Sequence, residues 1–537
     1  MAIDRRGFIT LGAGALLEAG CGRQDAAIAT VTATPCMLAP TPTSGFNTKV
    51  LATIGNTIGA YRPPGIMDGI GAWAWDKNTV RLYINHELAP NKGYPWMLEN
   101  GIELQGARIS WFDIDKATRQ VRHAGNAIRE IRDRRGEIVI EPAQVHERWD
   151  RDANSGLNNL CSAQGYQRGT FGFTDDLLFT HEEVTSRQNH PHGGSVWVLD
   201  VHSETLWALP SLGRGSWENV TALQTPDQDA DEGHVALLLG DDFIYGGAPL
   251  YLWIGRKKSS GSFPEMNGLI DGQLYVWICS NGDRSPEDWH GTGNSREGKF
   301  VAIDVHDFDK AGEPGYDRDG YLDDTTLRAR AKELGAFMLS RPEDLHTNPA
   351  NGLQVVLCST GHGRKFPSDD WGTIYLIDVQ FDHVANELRP SATIRILHDA
   401  DDFGDHGIRS PDNVVWASDG MIYIHEDKAT KLNQFGGETG RESSTWRINP
   451  ENPKDYEVIA LIDRSAVLPT DARDVRAREL GAWECCGLLD VSRQFDAPNN
   501  ELLLITAVQA HTIRGGAIGG RDDLVQGGQL VLLSRSS

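Results

Sequence analysis

At 537 residues the chain exceeds one ordinary compact domain unless the fold is a ring or a repeat. The 75 acidic residues outnumber the 51 basic ones, for a formal charge of −24, and no basic face of the kind a nucleic-acid binder needs is visible. A hydrophobic share of 39% with 58 glycines, 24 prolines and 15 tryptophans leans towards many short strands, and the acidic surplus suits a hard cation such as calcium.

The chain opens on "DRRGFITLGAGALLEAGCG", with twin arginines Arg5 and Arg6 before a short Ala/Gly/Leu run. This resembles a twin-arginine export signal, and residues 1–25 are expected to be a leader read by that export machinery. Gly20-Cys21 raises lipidation at Cys21 as an expectation, although Glu18 stands where a lipobox carries Leu. Residues 26–44 are Ala/Thr/Pro-rich and read as a linker, leaving 45–537 as one domain. No later stretch reaches the 18 consecutive apolar residues of a spanning helix. The cysteines, Cys21, Cys36, Cys161, Cys279, Cys358, Cys485 and Cys486, are odd in number and form no CxxC pair, which excludes a disulfide framework and a zinc knuckle.

From Ala107 onward one kind of segment recurs: "ARISWFDIDKATRQVR", "GSVWVLDVHSETLWAL", "GKFVAIDVHDFDK", "GTIYLIDVQFDHVANEL", "SSTWRINPENPKDYEVI" and "GQLVLLSRS". Each is a β-rich run closed by a polar turn, the signature of a hairpin. Helical signals are few, and "TTLRARAKELGAF" (Thr325–Phe337) is the clearest. The expectation is an all-β chain folded as a β-propeller, with short helices in insertions. Such a fold gathers distant loop residues at one end of a central channel, so the chemistry is to be sought in short, scattered motifs.

Those motifs lie at strand ends, in a Ser/Gly/Asn-rich loop around Cys161, and after a Gly-rich turn before Glu218. "NHE" holds Asn85 and Glu87, "NLCSA" holds Cys161, and "HEEV" ends a strand in Glu182 and Glu183. "GRGSWEN" leads to Glu218 and "GDD" to Asp241 and Asp242; "RPED" gives Arg341, Glu343 and Asp344. "SPDN" gives Asp412 and Asn413, "GAWE" gives Glu484, and "VQAH" ends in His511. A carboxylate at a strand end is commonly a solvated turn residue. Glu218 and Glu484 differ, because each sits beside Trp and apolar neighbours, where an unpaired carboxylate is costly to bury. A metal or an arginine would offset that cost. Several carboxylates with one thiol suit hard-cation sites, one of them soft enough for sulfur. "DQDADEG" (227–233) and "YDRDGYLDD" (316–324) look faintly like calcium loops but lack the closing glutamate, and read as solvated loops.

Taken in order, and with "RAKELGAF" and "DGMIYI" among them, these motifs resemble the PhoX-type bacterial alkaline phosphatases. The resemblance implies a six-bladed propeller and a cofactor of ferric iron and calcium. It implies Cys161 as a thiolate ligand, with Glu182 or Glu183, Glu218, Glu343 and Glu484 as carboxylate ligands. Arg341 would be the catalytic phosphate holder. Asn85, Glu87, Asp241, Asp344, Asp412, Asn413 and His511 would lie in the surrounding layer. The implied activity is hydrolysis of phosphate monoesters, small phosphorylated compounds, in the periplasm or outside the cell. The chain departs from the family in carrying His181 where cysteine is usual, and Trp217 before the glutamate of the Gly-Arg turn. Other readings are a calcium-dependent propeller lactonase or phosphotriesterase, and a non-catalytic, calcium-stabilised envelope binding propeller. No strand-turn-helix context supports a serine nucleophile.

Overall fold

The hairpins expected from the sequence pair into six four-stranded antiparallel blades. In the computed structural model, residues 35–145, 156–185, 193–384, 387–428, 434–466 and 468–536 are described. The twin-arginine-type leader, Cys21 and the first part of the linker lie outside them. Blade 1 consists of Met67–Ala74, Thr79–His86, Arg108–Asp115 and Gln120–Asn126. Blade 2 is Leu160–Tyr166, Leu177–Glu182, Val196–Asp200 and Thr205–Ala208; blade 3 is Trp217–Leu223, His234–Asp241, Tyr251–Arg256 and Gly272–Cys279. Blade 4 is Pro342–Asn348, Asn351–Ser359, Thr373–Val384 and Glu387–Asp399. Blade 5 is Pro411–Trp416, Ile422–Glu426, Ser444–Asn449 and Asn452–Ile462. Blade 6 is Glu484–Asp490, Glu501–Ala510, Gly527–Ser536 and, from the other end of the chain, Phe46–Thr53.

That last strand closes the ring, because Phe46–Thr53 pairs with Gly527–Ser536 and ties the two ends of the described chain into one sheet. Leu38–Pro40 adds to the outer edge of blade 5, and Met37 and Leu38 are fully buried, so this end of the stretch read as linker packs on the propeller. The first strand of each blade lines the axis and touches its neighbours, the sixth touching the first. Blades 3 and 4 are further joined by Ser295–Ile303, which pairs with an outer strand of each. The core lies between blades, as layers of Val, Leu, Ile and Trp such as Trp217, Tyr251 and Trp253. Burying each large aliphatic side chain contributes about 1.5–3 kcal/mol. At Gly69 a Cβ would meet the Ala163 nitrogen at 2.0 Å, so the axial strands of blades 1 and 2 approach as closely as they do only because that position is glycine.

Among the described residues the longest helix runs Asp324–Leu334, starting one residue before the segment the sequence marks as helical. Asp323 caps its start by accepting from the Thr326 amide at 2.7 Å, and Gly335 ends it in the left-handed region at φ 96°. Its function is to aim Arg328, which forks onto Asp241 and also reaches Asp324 at 2.6 Å. Acids of both acid-rich loops are paired within the protein. Asp317 accepts from Arg134 at 2.6 Å, Asp319 pairs with Arg134 and Arg135, and Asp227 pairs with His234 at 2.8 Å.

Candidate metal centre

The blades repeat one device at the same end of the channel. In blades 1 to 5 the second residue of the axial strand is Asp68, Cys161, Glu218, Glu343 or Asp412, and in blade 6 the first is Glu484. In blades 1 to 5 the strand bulges at that residue, with register shifts between Met67 and Ile70, Leu160 and Ala163, Trp217 and Val220, Pro342 and Leu345, and Pro411 and Val414. A bulge breaks the alternation of side chains and re-aims one of them. In four blades the residue two before the acid or thiol is left-handed: Ile66, Asn159, Arg341 and Ser410, at φ 55°, 43°, 60° and 44°. The carbonyls of these residues accept from the amides of Glu87, Glu183, Thr360 and Asp427, each of which directly follows its blade's second strand. The turn therefore brings the end of the second strand beside the bulge, so each blade offers two polar side chains to the axis.

The result is a continuous mesh. Asp68, Glu87 and Cys161 place ligand atoms within 4.8 Å of one another; so do Cys161, Glu183 and Glu218, and so do Glu218, Glu343 and Asp412. Cys161 and Glu218 are each shared by two sets. Beneath the mesh runs a belt of hydrogen bonds between blades. Asn219 Nδ2 donates to Ser162 Oγ at 2.7 Å and to Asp344 at 2.9 Å. Asn413 donates to Asp344 at 3.3 Å and accepts from the Gly487 amide at 3.1 Å. Asn85 Nδ2 donates to the Cys161 and Ser162 carbonyls at 2.9 and 2.8 Å, which fixes the backbone of the thiol.

Charge is far from balanced here. Burial, then Glu343 and Glu183, pushes Glu218 well up from the usual carboxylate range. Asp68, Glu183, Glu343 and Asp412 are pushed up in the same way, each by burial first and a neighbouring carboxylate second. Glu87 rises to about 7 and Asp344 to about 6, again mainly through burial. The Cys161 thiol is also pushed up, by burial and then by Asp68. Asp68 Oδ1 and Glu218 Oε1 are buried with no hydrogen-bond partner. Orphaned carboxylate oxygens among mutually repelling acids are what a set of cations would satisfy, so the residues present fit a multi-metal group.

Arg341 is buried among the carboxylates and held on three sides. Its Nε and Nη2 donate to Asp242 at 2.8 and 2.6 Å, Nη2 lies 3.0 Å from Glu343, and Nη1, which has no hydrogen-bond partner, lies 3.8 Å from Asp427. In blade 6, His511 Nε2 lies 2.9 Å from Glu484. Against the opposing effect of burial, this pairing holds the imidazole up at about 9 and the carboxylate down at about 2.

The structure separates residues that the sequence left together. Glu183 joins the mesh, whereas neighbouring Glu182 faces the other side of the strand end, accepts from the Asn158 amide at 3.1 Å and is pushed up to about 8 by burial. Asp242 reaches Arg341, while Asp241 points back to Arg328. Asn85, Asp344 and Asn413 support the mesh from below; Glu87 and Asp412 belong to it. Trp217 turns into the interblade core against Tyr251, and His181 is buried beneath Cys161, pushed down to about 3 by desolvation. Asp68 and Asp427 were missed from the sequence. "MDG" and "HED" are too short to stand out, but both fall where the repeated hairpin puts an axial acid, so aligning the hairpins with one another would have found them.

In the metal-free protein the raised carboxylates fix the sign of the pH dependence. Glu87, Asp344 and Glu182 keep protons in the fold that the unfolded chain releases near its ordinary carboxylate range. Stability should therefore fall as pH rises from about 6.5 to about 8, above the window in which buried histidines such as His181, pushed down to about 3, act in the opposite sense, and added calcium should flatten the slope. Melting curves of chelator-treated protein check this; a melting temperature that climbs across the window contradicts it.

Comparisons with known proteins give a family in sequence and a likeness in fold. The family model described as alkaline phosphatase PhoX matches residues 185–450. The solved structure of Pseudomonas fluorescens PhoX in complex with vanadate, a transition state analogue, superposes with a TM-score of 0.57 at 16% identity, covering 94% of this chain and 97% of that one. A GH43 β-1,3-galactosidase gives a TM-score of 0.32 at 8% identity over 75% of this chain and 92% of its own. No curated protein matches. The resemblance suggested by the ordered motifs is thus borne out in sequence and in the propeller fold.

Proposed function

We propose that this chain, a relative of the PhoX alkaline phosphatases in sequence over residues 185–450 and in fold over nearly its whole length, is a metal-dependent phosphate monoesterase that releases inorganic phosphate. The observation that carries the reading is the shared mesh of Cys161 and carboxylates with one buried arginine edge beside it. The two sets that include Cys161, one with Asp68 and Glu87 and one with Glu183 and Glu218, suit ferric iron because they offer sulfur; the all-oxygen set Glu218, Glu343 and Asp412 suits calcium. When bound, such ions supply Lewis acidity and neutralise phosphoryl charge.

The chain's own residues do the rest. Asp242 occupies one edge of the Arg341 fork and Glu343 braces it, so Nη1 is the donor left for a phosphoryl oxygen. There it would stabilise charge that persists on the equatorial oxygens through a loose transition state. Burial holds the Cys161 proton until a cation replaces it, which couples ligand formation to metal loading. His511, held protonated by Glu484, keeps positive charge at the blade 6 side of the mesh. A lactonase or phosphotriesterase with a single calcium needs neither the thiol nor so many acids. The twin-arginine-type leader supports export to the periplasm or beyond, which suits a protein that folds around its metals first.

The test is elemental analysis of the exported protein together with an assay on a chromogenic phosphomonoester at neutral and alkaline pH. Iron, calcium and turnover are expected together. A folded, active protein without either metal would defeat the metal reading, and loaded protein without phosphatase activity would defeat the substrate reading.

A further inference from the structure

The strand that ends in Asp241 leaves the mesh through residues 243–247, "FIYGG", and the chain returns at Ala248–Pro249 to pair with Met338–Leu339, just before Ser340 and Arg341. Both ends of this loop are fixed. The Arg328 guanidinium lies 4.0 Å from the centroid of the Phe243 ring, and Arg328 itself is held by Asp241. At the other end, a Cβ on Gly247 would meet Met338 and Phe366 at 2.8 Å, so the backbone lies tight against the segment that leads into Arg341.

Between these anchors stand Ile244, 42% exposed, and Tyr245, 62% exposed, with Tyr245 edge-on to Phe243 at 5.8 Å. These are large side chains left well exposed on a braced turn that starts beside Asp242, the residue that grips Arg341. We infer that the 243–247 loop is a specificity wall, on which Tyr245 and Ile244 receive the organic group of the ester and select apolar, above all aromatic, phosphoesters. This rests on the phosphatase reading of the adjacent site. The loop adds nothing to the handling of the phosphoryl group. Its contribution is contact area for whatever the phosphate is attached to, through ring stacking and exclusion of water.

The experiment uses phenylphosphonate and methylphosphonate, which share an anionic head and carry no ester to hydrolyse, and measures their affinities for the purified protein by calorimetry. The affinity ratio of phenyl over methyl is expected to fall about tenfold in Tyr245→Ser, and in the same direction in Ile244→Ser. In Tyr245→Phe, which keeps the ring, it should stay within about twofold of the wild-type value. An unchanged ratio in both serine variants overturns the role of the loop and leaves the phosphatase reading standing. A wild-type protein that binds neither phosphonate overturns the phosphatase reading and this inference together.

Discussion

Glu218→Gln is expected to strip metal from the protein and to lower kcat/KM by on the order of a hundredfold or more. Glu218 belongs to two of the three overlapping ligand sets, and its Oε1 is buried without a hydrogen-bond partner. The amide keeps the shape but removes the charge and turns two N–H donors towards a place built for cations. Cys161→Ser acts on the other shared ligand and should lower iron content and activity together. Glu182→Gln is the contrasting case: that carboxylate accepts from the Asn158 amide outside the mesh, so metal content should hold. Elemental analysis of the variants decides the matter. Full metal content in Glu218→Gln, or equal loss in Glu182→Gln, contradicts the assignment.

Arg341→Lys should cost about a thousandfold in kcat/KM with the fold intact. A lysine keeps a positive charge among Asp242, Glu343 and Asp427, so the carboxylates are not left without a cation. It cannot bind Asp242 with two parallel bonds and still extend a third donor towards substrate. Inhibition by inorganic phosphate should weaken in parallel, whereas the melting temperature should change little. Arg341→Ala is the harsher change, because it leaves buried Asp242 uncompensated, and lower stability should accompany its loss of activity. Near-normal turnover in Arg341→Lys would remove Arg341 from the phosphate site.

Part of the site was legible because Glu87, Glu183, Asp242 and His511 follow strands, where an apolar run stops at a polar residue. Cys161, Glu218, Glu343 and Glu484 open the axial strands instead and stand out only through their short motifs. What was not legible is direction. Glu182 and Glu183 are neighbours, as are Asp241 and Asp242, and composition treats the members of each pair alike. A strand end sends adjacent side chains to opposite faces, so one of each pair meets the axis and the other meets Asn158 or Arg328. Asp68 was hidden for a different reason. Its place in the mesh comes from the bulge after Met67 and from Gly69, which permits the close approach of the next blade.

By itself the sequence determined the class of the fold, the chemistry of the donors and their order along the chain. Strand period, turn residues and the pairing of carboxylates with a lone thiol are local properties, written in runs of a few residues. Only the tertiary structure decided which of these side chains stand within 4.8 Å of one another and that Asp242 takes one edge of the Arg341 fork. Those facts depend on closing six hairpin sheets into a ring, which sets residues hundreds of positions apart within bonding distance, as when Gln509 donates to Asp68 at 2.7 Å. No local pattern encodes such a contact, because it follows from the packing of all the blades at once.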